Sequence, residues 1–499
     1  MSCTCRHNEN VQDSMDDKVE NVHKVGPFDV EDWCYRGEGA ANIVLAYKGS
    51  DPFLVGKVLR IRKKSVDKQL VDKSKVICQP GKPILSEDEQ KLWQNWPSVA
   101  EARSFESLLQ AYARDVMGPL LGPELVDPGI IVYMSTEFLE KIACIVEHER
   151  PLSRRAESEI DSHSNSALLI SDHSVFCLVG VSHGTGPQRN IKTSFLSIAV
   201  EIKPKCGFLP NSDLIVAENF IKKIVPRYTM HQTLKHYEGK VKRLSQYSPL
   251  DLFSEDLERI NQAVHHLFSV PQNNLRLFVG GTVIDTSTSD LDHEGVKWQV
   301  LNAALQGCML HDDGIQPVEV LKELVSQSLH KTDVLKNLLA AQKLDIVDIE
   351  GSIHAYRKLS SREAMDSSHG RELSEDECKN FEFPDGMSLL QCIELVRNYL
   401  IAATAKDCSL MLTFQQVLDN EPENMDVKYH KIIFSSKAKH PFLLKVNFLD
   451  LDLKPLTKMH HYYQIDQKIV KAYLATLQTD IDQEGYSESF VISQDGQQA

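Results

Sequence analysis

No stretch of this 499-residue chain approaches the roughly 18 consecutive apolar residues that a bilayer span needs, so a membrane protein is not expected. The N-terminus has no basic segment followed by an apolar one. Residues 1–26 are polar and mixed in charge, which argues against secretion and predicts a disordered leader. A surplus of positive charge is missing too: the net charge is -15, against the broad basic surface that nucleic-acid binding requires. The eleven cysteines are scattered and odd in number, which fits a reducing compartment (cytoplasm or nucleus) rather than a disulfide framework. Cys3 and Cys5 form a C-x-C pair, but no Cys or His follows at a zinc-like spacing, and the pair reads as incidental. Neither H-R-D nor D-F-G occurs, which excludes an ordinary protein kinase.

What is present is an ordinary globular composition, 42% hydrophobic and 25% charged, long enough for two or three domains. Three distant segments set isolated charges beside apolar residues: Glu201-Ile202-Lys203-Pro204-Lys205, Thr404-Ala405-Lys406-Asp407-Cys408-Ser409 and Leu449-Asp450-Leu451-Asp452-Leu453-Lys454-Pro455. Unpaired charges there would be expensive. In the last segment leucines alternate with Asp450, Asp452 and Lys454, so a strand would bury the leucines and present both carboxylates and the lysine on its other face. Carboxylates at a strand end with lysines nearby suit a metal ion bridging phosphate oxygens. Taken alone, the segment also fits an ordinary half-exposed strand.

The pattern predicts an α+β chain. Residues 43–47 and 53–61 read as a hairpin joined by Lys48-Gly49-Ser50-Asp51-Pro52. Ahead of it lies Gly37-Glu38-Gly39-Ala40-Ala41-Asn42, either a glycine loop whose amides approach phosphate or a plain tight turn. Arg60 would point at phosphates under that loop, or at solvent. A capping box at Ser86-Glu87-Asp88-Glu89 opens a helix. Residues 151–166 and 181–193 read as loops, and 167–170, 175–181 and 194–203 as strands. Helices are predicted over 251–268, 293–309, 317–329, 332–341, 388–403 and 465–477, and strands over 410–414, 432–435 and 443–453. A strand-rich beginning followed by a larger mixed part suggests two lobes with a cleft between them. The expected division is a leader (1–26), a smaller N-terminal lobe (27–170), a connection (171–173), a C-terminal lobe (174–480) with a flexible insertion at about 360–385, and a disordered tail (481–499).

Arg227, His231 and Lys235 are spaced i, i+4, i+8 and form one row on a helix, either a solvated face or an anion site. Lys454, Lys458 and Tyr462 repeat the spacing after the carboxylates, with Pro455 placed to open a helix. Two cationic rows plus Lys203 and Lys205 suit a ligand with several phosphates. Pro271-Gln272-Asn273-Asn274-Leu275-Arg276 precedes a strand and reads as a phosphate- or hydroxyl-binding junction or as a capping turn.

With these motifs in order, the chain resembles the inositol-pentakisphosphate 2-kinases, with interruptions from about Asp32 to Tyr473, and the plant members most closely. Residues 201–208 correspond to that family's E-x-K-P-K motif. The resemblance implies a two-lobed, kinase-like fold and transfer of the γ-phosphate of ATP, with Mg2+, to the 2-hydroxyl of inositol 1,3,4,5,6-pentakisphosphate, giving the hexakisphosphate. It implies Asp407 as base or orienter for the hydroxyl, Asp450 as magnesium ligand and Lys203 on the ATP phosphates. Gly39, Ala40, Ala41, Asn42, Arg60 and Arg276 would surround the nucleotide phosphates, with Asp172, His173 and Glu201 near adenine and ribose. Arg154, Lys205, Arg227, His231, Lys235, Asn274, Lys454, Lys458 and Tyr462 would hold the inositol phosphates. There are three departures. Ser65 replaces a basic residue, for which Lys63 or Lys64 could substitute. Lys458 stands where plant relatives have arginine. The C-x-x-C of a plant-type structural zinc site is missing, leaving His354 with only Cys378 and His369, so zinc is not expected. No membrane or nucleic-acid partner is expected, and the chain is expected to be a monomer. The alternative reading is a non-catalytic inositol polyphosphate receptor or scaffold, which would need the cationic rows but not Asp407, Asp450 or the glycine loop.

Overall fold

The computed structural model describes residues 29–39, 41–66, 82–176, 196–284, 294–366, 387–418 and 431–492. Within them lie two antiparallel sheets. The first is built from β1 (Trp33–Glu38), β2 (Asn42–Tyr47), β3 (Lys57–Ser65), β4 (Ile130–Tyr133), β5 (Ser158–Ile160) and β6 (Ser166–Ser171), in the order β1-β2-β3-β6-β4 with β5 on β3. The predicted hairpin is thus the centre of a meander, and β1 was missed. The β2–β3 connection is longer than its sequence suggests. Asp51 Oδ1 accepts from Phe53 N at 2.8 Å, and Asp51 O accepts from Leu54 and Val55, so residues 53–56 turn and β3 starts at Lys57.

The second sheet contains β7 (Ile198–Ile202), β8 (Leu275–Val279), β9 (Thr282–Ile284), β10 (Ser409–Gln416), β11 (Lys431–Ile433) and β12 (Phe442–Leu449), in the order β11-β12-β10-β7-β8-β9. Gly280 and Gly281, at φ 54° and 82°, make the two-residue β8–β9 turn, where both central residues need the left-handed region.

Fifteen α-helices are found among the described residues. In the first part these are α1 (Glu87–Leu92), α2 (Pro97–Ala100), α3 (Phe105–Ala111), α4 (Gly118–Leu121), α5 (Thr136–Val146) and α6 (Leu152–Glu157). The predicted capping box opens α1, with Ser86 Oγ accepting from Glu89 N. Residues 152–160, predicted as loop, form α6 and β5. The later helices are α7 (Arg227–Tyr237), α8 (Pro249–Leu252), α9 (Leu257–Ser269), α10 (Glu294–Leu305), α11 (Pro317–Lys331), α12 (Val334–Gln342), α13 (Asp348–Asp366), α14 (Leu389–Asp407) and α15 (Met459–Ile492). The last helix takes in residues 481–492, predicted as tail. The leader, residues 367–386 of the insertion and residues 177–195 lie outside the described residues. No helix is long and apolar enough to cross a membrane among the described residues.

Two apolar cores flank a crevice. In the smaller one, Phe138, Leu139, Ile142 and Val146 share one face of α5 and pack on Trp33, Leu45, Leu59 and Ile61 of the first sheet. Each such side chain contributes about 1.5–3 kcal/mol by leaving water. The larger core joins β7, β10 and β12 to the later helices, and it also takes in residues Leu85, Trp93, Tyr112 and Val126.

Candidate active site

Topology brings the three charged segments together. β10 lies between β7 and β12 and runs antiparallel to both, with Leu410 opposite Ile202 and Ser409 opposite Leu449. The start of β10 is therefore beside the ends of its neighbours. Lys203 follows the last residue of β7, Asp450 follows the last of β12, and α14 delivers Asp407 just before β10. Lys203 Nζ donates to Asp450 Oδ2 at 2.9 Å, and Ser409 Oγ lies 3.4 Å from the same oxygen. Asp407 accepts from Lys454 at 2.9 Å and from Lys205 at 3.3 Å.

The predicted strand through 453 is corrected here. β12 stops at Leu449, and Asp450 takes φ 59°, in the left-handed region. The two carboxylates do not share a strand face. Asp450 turns to Lys203, and Asp452 reaches the first sheet, where its carboxylate accepts from Arg60 Nη2 at 2.6 Å. Pro455 caps a 3-10 turn (Leu456–Lys458) ahead of α15, so Lys454, Lys458 and Tyr462 do not form one helical row.

Asp407 ends α14, where the helix dipole disfavours an anion. Burial would also raise its pKa, but Lys454, Lys205 and Lys203 outweigh both and hold it at about 2. It is ionised at neutral pH. Burial likewise works against the Lys203 ammonium, and Asp450 outweighs it, raising the pKa of Lys203. Asp450 is kept below the ordinary carboxylate range, since Lys203 and Arg60 overcome its burial. Lys205 is lowered by burial and by the charge of Lys203, which Asp407 only partly offsets.

The crevice between the sheets has a volume of about 420 Å³. Gly39, Arg60, Arg154, Asp172, His173, Glu201, Lys203, Arg276, Asp450 and Asp452 line it. Gly37 lies near the end of β1, opposite Val44, and Gly39 lies in the β1–β2 turn, where Gly39 N donates to Asn42 O at 2.9 Å. Asn42 is buried, and its amide oxygen, turned to the guanidinium, accepts from Arg60 Nη2 at 2.9 Å. Ala41 is exposed, its carbonyl accepting from Lys63 N, and Ala40 lies outside the described residues. Asp172 follows β6 and pairs with Arg36, while His173 Nε2 lies 3.5 Å from Asp127. Glu201 is 3.9 Å from Arg276. Arg154 stands on α6, 3.8 Å from Glu157.

The predicted row on α7 forms. Met230 and Leu234 pack on Ile469 and Val470 of α15, leaving Arg227, His231 and Lys235 on another face. Burial, then Arg227, Lys235 and Lys205, push the His231 imidazole down to about 4, so the row lies beside Lys205. Tyr462 is pushed up to about 12 by burial and by Asp407. Lys458 is exposed on the 3-10 turn. Asn274 is not brought to the crevice surface. It is 1% exposed, donates to Tyr228 Oη at 2.7 Å, and supplies the carbonyl that takes Lys203 N. Nor are Lys63 and Lys64 free: Lys63 is buried on Glu38 at 2.6 Å with Arg150 beside it, and Lys64 pairs with Glu159.

Sequence reasoning missed Arg36, which closes the crevice wall, and Gln342. The fully buried Gln342 side chain donates to Lys205 O (2.8 Å) and Ala405 O (3.2 Å) and accepts from Gly207 N (2.9 Å). It ties two of the three motifs together. A glutamine at the end of an otherwise ordinary helix carries no local signal of that role.

The family model described as Inositol-pentakisphosphate 2-kinase matches residues 35–468. An inositol-pentakisphosphate 2-kinase of Arabidopsis thaliana is 40% identical over 453 residues, covering 89% of this chain and 94% of that protein. One from Oryza sativa subsp. japonica is 40% identical over 451 residues, with the same shares, and one from Danio rerio 28% over 520 residues, covering 92% and 97%. The converging charges, the glycine turn and the cationic row on α7 thus sit inside the matched region, and the chain belongs to the inositol-pentakisphosphate 2-kinase family.

Proposed function

We propose that this chain transfers the γ-phosphate of ATP to the 2-hydroxyl of inositol 1,3,4,5,6-pentakisphosphate, within a two-lobed, kinase-like fold whose cleft is the crevice between the two sheets. The observation that carries this reading is that Asp450 and Lys203 pair on the crevice wall while Asp407, at the adjoining strand start, pairs with Lys205 and Lys454, with the α7 row beside Lys205. A polyphosphate binder needs the cations alone. An ionised carboxylate between two of them costs binding, and its presence is explained by a hydroxyl that must be oriented and deprotonated.

Asp407 accepts the hydrogen bond of the 2-hydroxyl and aims its oxygen at the γ-phosphorus. Its low pKa makes it a weak base, so it takes the proton late, once bonding to phosphorus has made the hydroxyl acidic. The oxygen–phosphorus bond forms as the bond to ADP breaks, and the proton passes from Asp407 to solvent. Phosphates draw Lys205 and Lys454 away from Asp407, which raises its basicity as the complex forms. Lys203 and Arg60 face the transferring group from two sides, and Arg227, His231 and Lys235 take inositol phosphates. The acidic Asp450 oxygens, 55% exposed in the crevice, fit a magnesium ligand. Bound magnesium would supply positive charge that offsets the charge of the ATP phosphates.

The test mixes pure protein, magnesium-ATP and the pentakisphosphate and follows the hexakisphosphate by ion-exchange chromatography. Asp407→Ala and Lys203→Ala should each lower turnover by at least ~100-fold. Near-normal turnover in both variants rejects the assignment, and binding without turnover by the wild type identifies a receptor instead.

A further inference from the structure

A group of buried charges lies behind the α7 row and has no part in the chemistry above. Lys222 Nζ sits among Asp348, Glu350 (3.1 Å) and Asp466 (2.7 Å), with a side chain only 3% exposed. The three carboxylates have the spacing of a cation site, and the ammonium stands in it. They cross-link three elements. Lys222 is on the 3-10 turn Ala217–Lys223 that leads into α7, Asp348 and Glu350 open α13, and Asp466 lies on α15. Glu350 also accepts from Val216 N and Asn219 Nδ2, each at 2.9 Å.

One ammonium leaves three carboxylates short of positive charge. The second cation is Arg227, the first residue of α7, whose Nε donates to Asp466 Oδ1 at 3.1 Å. This bond uses one edge of the guanidinium and leaves the Nη groups with donors to offer. Without an anion behind it, Arg227 would be repelled by Lys205 and Lys235 and its long side chain would sample many rotamers. Asp466 is four residues beyond Tyr462 on the same face of α15, so the helix whose Tyr462 feels the charge of Asp407 also carries this anchor.

We propose that Asp466 is a positioning residue, holding Arg227 for a phosphate of the inositol substrate, while Lys222, itself held by Asp348 and Glu350, holds Asp466. This rests on the reading that the α7 row takes inositol phosphates. Asp466→Asn should weaken pentakisphosphate binding by at least ~10-fold, the scale of one charge-assisted hydrogen bond, with the KM for ATP unchanged. Arg227→Ala should weaken it as much or more, and the double variant should match Arg227→Ala alone. Calorimetric titration with the pentakisphosphate reads all three. Additive losses, or an unchanged Kd in Asp466→Asn beside a weakened Arg227→Ala, overturn the proposal while leaving the α7 row in place. An unchanged Kd in Arg227→Ala overturns the row itself. Arg227→Lys gives an independent arm should Asp466→Asn fold poorly. It keeps the charge without the Nε bond, so it should bind within about 3-fold of Arg227→Ala, and wild-type affinity would refute positioning.

Discussion

Replacing Asp407 by Asn separates chemistry from binding at this site. The side chain is 59% exposed and, among the described residues, bonded to the flexible ends of Lys205 and Lys454, so an isosteric amide should fit without disturbing the fold. An amide cannot take the proton of the 2-hydroxyl, and turnover should fall at least ~100-fold. Affinity should move the other way. A phosphate about 6 Å from the carboxylate is repelled by roughly 0.7–3 kcal/mol per unit charge, between the dielectric of bulk water and an effective value of 20. Removing that repulsion also releases two lysines to the substrate. The Kd for the pentakisphosphate should therefore drop by at least ~3-fold, the lower end of that range. Turnover is read by chromatography of the hexakisphosphate and affinity by calorimetry. Near-normal turnover would refute the role of Asp407. Weaker binding would refute the electrostatic reasoning and make Asp407 a substrate ligand.

Two further outcomes follow from the charge environment. The His231 pKa of about 4 lies below its ordinary 6.5, so the unfolded chain binds the extra proton first; the stability this group contributes is full above about pH 6.5 and is lost as pH falls towards 4. Urea unfolding at pH 7 and pH 5 should show a larger loss in the wild type than in His231→Gln, and equal losses would contradict the assignment. Arg150→Met leaves Glu38, whose side chain is 1% exposed, with the Lys63 ammonium and the Tyr35 hydroxyl but without its bidentate guanidinium, and should cost about 3–5 kcal/mol in the same assay. Lys63→Met should also destabilise yet leave the pentakisphosphate Kd of the folded protein unchanged; a weakened Kd would return Lys63 to the substrate site.

What the sequence could reveal was local. The Arg227, His231 and Lys235 row was legible because helical spacing needs only one uninterrupted helix, and Met230 and Leu234 supply its buried face. The alternation from Leu449 to Leu453 was misread because nothing in it marks the left-handed turn at Asp450 that ends the strand. Helix α13 went unread because it opens on another left-handed residue, Asp348, and carries Gly351 and Ser352 in its first half. Pairs such as Arg60–Asp452, 392 residues apart, and the Gln342 bridge exist only after two sheets and a helix have packed. The charges themselves stood out in the sequence; their partners did not.

That distinction bears on how the site works. Lys205 and Asp450 both take positive φ, a conformation that costs a non-glycine residue about 1–3 kcal/mol and persists only where surrounding structure enforces it. Around Lys205 the enforcement is by neutral groups: Gln342 on the carbonyl of Lys205 and the amide of Gly207, and Tyr247 Oη on Pro204 O at 2.8 Å. Around Asp450 it is the β10–β12 ladder, which holds Leu449 opposite Ser409. Neither backbone depends on the ion pairs its side chain makes. The lysines can therefore trade carboxylates for phosphates while their Cα positions stay fixed, so a highly charged substrate meets cations already in place. The energy of phosphate binding then goes into the side-chain exchange rather than into rebuilding the loops.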